Sequence, residues 1–209
     1  MKKSKKRLVQ EETVKKVAVL FCTKKSVYKR INGCDVYDEE PNALTFRGDQ
    51  PVIAHPPCRK FSRLWHMSTA PEKEKQLAYW TLRQVRKNGG VLEHPAHSKL
   101  WEVRKLPLPG AQADQYGGWT LSIPQFWFGH RAQKETWLYI VGCARKDIPA
   151  PMLQLGEAQF KVSGSISAGR RAMGWKEKPC IKKWENNATP PAFADWLIEL
   201  ALRCKRRVA

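Results

Sequence analysis

The chain is poor in acidic residues. Only 19 Asp and Glu stand against 38 Lys and Arg, a formal net charge of +19 over 209 residues. An excess of that size points to a polyanionic partner rather than to a small metabolite. Long apolar runs are also missing: the longest, 17–22 and 137–143, fall well short of the roughly 20 residues that cross a bilayer, so no membrane role is expected. The six cysteines form no Cys-x-x-Cys pair, and no apolar stretch of signal-peptide type follows the basic start. A reducing cytoplasm is the expected setting. There is no internal repeat and no heptad pattern, which excludes solenoids and coiled coils.

What is present fits one folded unit. A chain of this length, 42% hydrophobic, buries one good core, so 17–209 is expected to form a single domain behind a basic, flexible tail at 1–16. Short apolar runs at 17–21, 51–54 and 90–92 have the character of strands buried on both faces of a parallel sheet. Between the last two, Leu77, Trp80, Thr81, Gln84 and Val85 recur at helical spacing over 71–87. Pro71 sits where a first turn takes proline, and Asn88 with Gly89 ends the segment. Strand, helix, strand is a parallel crossover, which predicts an α/β fold with a Rossmann-like, doubly wound, mostly parallel sheet. A proline- and glycine-rich loop is expected over 107–118, a further strand over 137–141 and a closing helix over about 190–204.

Ligands of such sheets lie beyond the carboxyl ends of the strands. Two chemically suggestive loops emerge there. His55, Pro56, Pro57 and Cys58 follow one strand: two prolines fix the backbone just ahead of a thiol, and Arg59 and Lys60 beside it are expected to favour the thiolate. Glu93, His94 and Pro95 end the next strand, offering a carboxylate one helix further along. His55, Cys58, His66, His94 and His97 lie close enough in sequence to invite a metal, but their spacings match no zinc pattern, and none is expected.

Pro56, Pro57, Cys58, Phe61 and Ser62 resemble the Pro-Pro-Cys-x-x-Phe-Ser loop of the cytosine-C5 DNA methyltransferases. Glu93 and Pro95 are similar to that family's Glu-Asn-Val or Glu-Asn-Pro element, with His94 in place of Asn. Gln133 and the strand after it resemble its Gln-x-Arg-x-Arg strand, with Glu135 and Trp137 where the arginines stand. The stretch 169–175 resembles its Arg-Glu-x-Ala-Arg-Leu-x-Gly-Phe helix, and Asn187, Pro190, Pro191 and Ala194 its Gly-Asn-x-Val-Pro-Pro helix start. The chain departs from the family at the first motif, where Leu20 and Phe21 lead into Cys22 with no glycine before Gly33. It departs again in size, since only 143–162 is left for target recognition.

The resemblance implies a sheet of the class I methyltransferase type and a covalent mechanism. Cys58 would add to cytosine C6, Glu93 would protonate N3 from a carboxyl that burial keeps protonated near neutral pH, and Gln133 would complete the catalytic set. S-adenosylmethionine would lie against Phe21, Asp38 (ribose hydroxyls), Asp49 (adenine amine), Pro56 and Asn187. Arg59, Lys60, Arg63, Arg131, Arg170 and Arg171 would hold phosphates, with His130 and Lys134 as further polar contacts and Trp65, Trp119 and Trp127 as candidates for stacking. With 143–162 a vestigial recognition segment, target specificity would come from a partner protein or be weak. Two alternatives stand beside DNA methylation: the same addition chemistry on RNA or a nucleotide, or with another cofactor, and a non-catalytic nucleic-acid-binding descendant of the fold.

Overall fold

A computed structural model describes residues 16–38, 42–62, 65–162, 172–174 and 176–206. Among them six strands form one mixed sheet: β1 Val17–Leu20, β2 Cys34–Tyr37, β3 Val52–Ala54, β4 Gly90–Pro95, β5 Trp119–Pro124 and β6 Glu135–Val141. Their order across the sheet is β2-β1-β3-β4-β6-β5. The first four run parallel, whereas β6 is antiparallel to both β4 and β5. The protein is therefore α/β with a mostly parallel sheet closed by an antiparallel hairpin, a mixture that large doubly wound sheets accommodate.

Helices cover both faces. Helix α1, Lys73–Asn88, packs Leu77, Ala78, Leu82 and Val85 against the face made by Ala18, Leu20, Val52, Ala54 and Leu92. The short α2, Lys99–Val103, places Leu100 and Trp101 in the same cluster; Ser98 caps it by accepting from the Leu100 amide. After α3, Lys183–Asn187, the closing helix α4, Pro191–Arg203, lays Phe193, Trp196, Leu197 and Leu200 on the opposite face, against Val17, Val19, Ile53 and Val91. Each side chain so buried contributes about 1.5–3 kcal/mol. Successive strand residues thus serve opposite cores, which is why these strands read as continuous apolar runs.

Helix α1 begins at Lys73 rather than at Pro71, which instead offers its carbonyl to the Glu74 amide. It stops where expected, at Gly89 with φ 78°. At Gly90, φ is 129° and a Cβ would lie 2.0 Å from the Val52 carbonyl oxygen, so only glycine lets β4 start beside β3. Segment 143–162 carries one 3-10 turn, Arg145–Asp147, and isolated bridges near its end, Ala132 with Phe160 and Lys161 with Cys180. Among the described residues no helix is long and apolar enough to cross a membrane.

Candidate active site

Strand periodicity assembles the site. Val91 of β4 and Ile53 of β3 face the α4 side, so two residues on, Glu93 and His55 emerge on that face at the carboxyl rim, on neighbouring strands. The His55 amide donates to the Leu20 carbonyl at 3.0 Å, which holds the residue in the line of the sheet beyond the end of β3. On β6, Thr136 lies on the same face, opposite Pro95.

Glu93 is gripped at both oxygens. His55 Nδ1 lies 3.0 Å from Oε2, and the Gln125 side-chain amide donates to Oε1 at 3.2 Å. Gln125 gives its second hydrogen to Thr136 Oγ1 at 3.0 Å. His55 Nε2 lies 3.3 Å from the hydroxyl of Tyr28, which is wholly buried. Burial alone pushes the Glu93 carboxyl up, but the His55 hydrogen bond, with the charges of His55, Lys134 and His94, outweighs it and brings the group down to about 2. This corrects the expectation of a carboxyl kept protonated by its surroundings: the His55 hydrogen bond and the neighbouring Lys134 draw Glu93 down, and the resting group is a carboxylate, while burial pulls His94 down to about 4.

Cys58 begins a 3-10 turn, Arg59–Phe61, that closes when its carbonyl accepts from the Phe61 amide at 2.9 Å. Phe61, 1% exposed, pins the turn into the core against His94 and Tyr79. The thiol is half-buried. Desolvation pushes it up, the Glu93 carboxylate adds to this, and Lys134 opposes both. The cation that favours the thiolate is therefore Lys134, and not Arg59 or Lys60 as the sequence suggested. Arg59 pairs with Glu74, and Lys60 with Glu72 at 2.9 Å, both near the start of α1.

Lys134 precedes β6 with φ 36°, a left-handed backbone that breaks the strand alternation. Its Nζ reaches the Ala188 carbonyl at 3.4 Å, and burial pulls its pKa down against the opposing pull of Glu93 and Cys58. Gln133, one residue earlier, is exposed and donates to Glu135 at 3.0 Å. The structure thus brings Cys58, Glu93 and Lys134 together, and turns Gln133 away. Segment 157–162 faces Lys134 across a cavity of about 420 Å3 lined by Gln133, Lys134, Phe160, Lys161 and Lys178. Cys58 and Glu93 are not among its lining residues.

The other sequence-derived residues are more dispersed. Phe21 is buried with φ 60° and meets Trp80 edge to face, so the turn that lacks glycine is made by a strained phenylalanine. Asp38 is held by Lys29 at 2.6 Å. Asp49 and Asn187 are exposed, and Pro56 is buried beneath the thiol loop. As they stand these five do not form a cradle for S-adenosylmethionine, because the ribose acid is already paired and the Phe21 ring is turned into the core.

Arg131 binds Glu185 at 2.7 Å and lies over the Phe160 ring. Trp119 is not a stacking residue: it is 4% exposed and donates to the Cys143 carbonyl. Trp127 is half-buried, Trp65 is 41% exposed, and His130 is buried against the Ala132 carbonyl. Arg63, Arg170 and Arg171 lie outside the described residues, as do positions 1–15 of the basic tail. Among the described residues no group of three or more His, Cys, Asp or Glu side chains is placed to hold a metal ion.

Tyr28, His55 and Gln125 are the members of the site that their types and spacing did not announce. For His55 a signal existed: it follows a buried strand by one residue and so shares a face with Glu93. Family models, curated proteins and solved structures contain no match to this chain.

Proposed function

We propose that the chain modifies cytosine in nucleic acid, with the Cys58 thiolate adding at C6 and making C5 nucleophilic. The observation that carries this reading is one rim site where a half-buried thiol and a lysine feel each other's charge and that of Glu93, a carboxylate held by His55 and Gln125. A sheet with parallel strands ending at that rim is compatible with the class I methyltransferase type. As the thiol proton leaves to water, the Lys134 cation stabilises the thiolate that forms. As C6 is attacked, the C5=C6 electron pair moves toward C4 and the C4=N3 pair moves onto N3. The nitrogen then takes a proton through Glu93, whose resting carboxylate must first receive one from a hydrogen-bonded donor such as the His55 ring. The resemblance makes S-adenosylmethionine the source of an electrophilic methyl group at C5. The excess of 19 positive charges favours a polymeric substrate.

A second reading keeps the addition chemistry and changes the electrophile or the substrate. It is favoured by the Lys29–Asp38 pair and by the left-handed Phe21 where a glycine turn would approach the cofactor. One experiment tests both readings. An oligonucleotide containing 5-fluorocytosine cannot lose a proton from C5, so an enzyme that methylates it stays covalently attached. Incubation with S-adenosylmethionine is expected to give a denaturant-resistant adduct, lost completely in Cys58→Ser. An adduct formed without the methyl donor, or only on RNA or a free nucleotide, selects the second reading. No adduct under any of these conditions leaves a nucleic-acid-binding protein.

A further inference from the structure

We propose that His55 is a positioning residue that stores the proton Glu93 hands to the base, an inference that rests on the cytosine-addition reading above. Glu93 has two side-chain hydrogen-bond partners, and only one of them carries a labile proton. Gln125 spends both amide hydrogens, on Glu93 and Thr136, and can neither gain nor lose one. His55 can do both. With two ring protons, Nδ1–H donates to Glu93 and Nε2–H to the Tyr28 hydroxyl oxygen; once Nδ1 has given up its proton, Nε2–H keeps its bond to that oxygen. Tyr28 therefore anchors the ring in both charge states. The ring is also held in place, with its centroid 5.5 Å from that of Tyr28 and its side chain 13% exposed.

The proton balance closes. As the bond between Cys58 Sγ and C6 forms, the Nδ1 proton of doubly protonated His55 passes to Glu93 Oε2, and the carboxylic proton so made passes to N3, leaving His55 neutral. When Cys58 departs, N3 returns that proton by the same route. The charged and titratable groups around the pair come from four elements: Glu93 and His94 on β4, Lys134 before β6, Cys58 in the loop after β3, and Tyr28 in the turn after β1. Behind Tyr28 stand Cys22, Cys34 and Asp195.

The test is His55→Asn with the trapping oligonucleotide, read as adduct rate against pH. Asparagine keeps an N–H donor where Nδ1 stood, so a merely structural role predicts a rate and profile close to wild type. Storage of the proton predicts about a hundredfold slower adduct formation and loss of the limb that wild type shows as His55 is deprotonated. A variant that does not fold is replaced by a measurement on the wild-type protein, the imidazole nitrogen resonances followed with pH. The inference requires the ring to carry protons on both nitrogens at the acid end of the range and to lose the Nδ1 proton as pH rises, and a ring that keeps Nδ1 protonated while Nε2 titrates overturns it. A wild-type adduct that His55→Asn forms equally fast at every pH sinks this inference alone. Absence of any wild-type adduct sinks the reading beneath it as well.

Discussion

The two halves of the sheet's carboxyl rim are built on different principles. At the β3–β4–β6 end, side chains from separate elements converge on a thiol and a carboxylate: Tyr28, His55, Gln125 and Lys134 all reach Glu93 or Cys58 directly or through one partner. At the β1–β2 end the polar groups are satisfied among themselves. Asp38 pairs with Lys29, and Phe21 closes the floor. Burial perturbs the first group strongly, since desolvated charges feel one another across a poorly screening interior. At the second end the exposed pair is screened by water. Perturbed groups cluster where chemistry is done, so under the proposed function the β3–β4–β6 half is where reactivity is expected, while at the β1–β2 half burial raises the Cys22 thiol and Lys29 holds Asp38 down.

The sharpest way to break that assignment is Glu93→Gln. If the β4 end is reactive, adduct formation should fall by about 10²–10⁴-fold, because the amide cannot relay a proton to N3. The same variant tests the electrostatics. A carboxyl near 2 when folded and near the ordinary 4.5 when unfolded stabilises the protein above the higher value, and that stabilisation disappears as pH falls through the lower one. It is on the order of 3 kcal/mol at neutral pH. Urea unfolding should therefore show wild type weakening between about pH 4.5 and 2, and Glu93→Gln should lack that part of the acid loss. Equal acid sensitivity in the two proteins would mean that His55 and Lys134 do not hold the carboxylate.

Lys134→Met comes next in size. Removing a cation that opposes desolvation of Cys58 raises the thiol further, so adduct formation near neutral pH should slow by about 10–100-fold. The loss should shrink as pH is raised, since alkali supplies the thiolate that Lys134 no longer favours. A pH-independent loss would make Lys134 a substrate contact instead.

How much of this was legible depends on where each signal lives. Strands β1, β3, β4 and β6 and helices α1 and α4 announce themselves through unbroken apolar runs or helical spacing with proline and glycine punctuation. Strand β2 does not: all four of its residues are half-buried on the sheet's edge, and Asp35 interrupts the run. Nor does β5, whose Trp119, Leu121 and Ile123 alternate with Thr120 and Ser122 just after a proline- and glycine-rich loop. The direction of β6 could not be read at all, because an apolar run looks the same from either end, and the short return from β5 makes it antiparallel. Within the site, Cys58 and Glu93 were legible from their loops. Lys134 was displaced by one position, since the left-handed backbone there, and not strand alternation, decides that it points inward while Gln133 points out. The charge state of Glu93 was beyond sequence because its partners come from four different elements.

The smallest effect sharpens the other side of the comparison. If S-adenosylmethionine binds at the β1–β2 end, its ribose hydroxyls must compete with Lys29 for Asp38. Exposed ion pairs hold weakly, so Lys29→Ala should tighten binding by about fivefold or less in isothermal titration, and Asp38→Asn should weaken it. Opposite responses to the two substitutions would make this surface a weak cofactor site occluded by its own lysine. Heat from S-adenosylmethionine that neither substitution alters would move the cofactor away from Asp38. No heat in any of the three proteins would leave the reactive half of the rim without a methyl donor on its neighbour, and the electrophile that meets C5 would then have to enter from the Cys58 side.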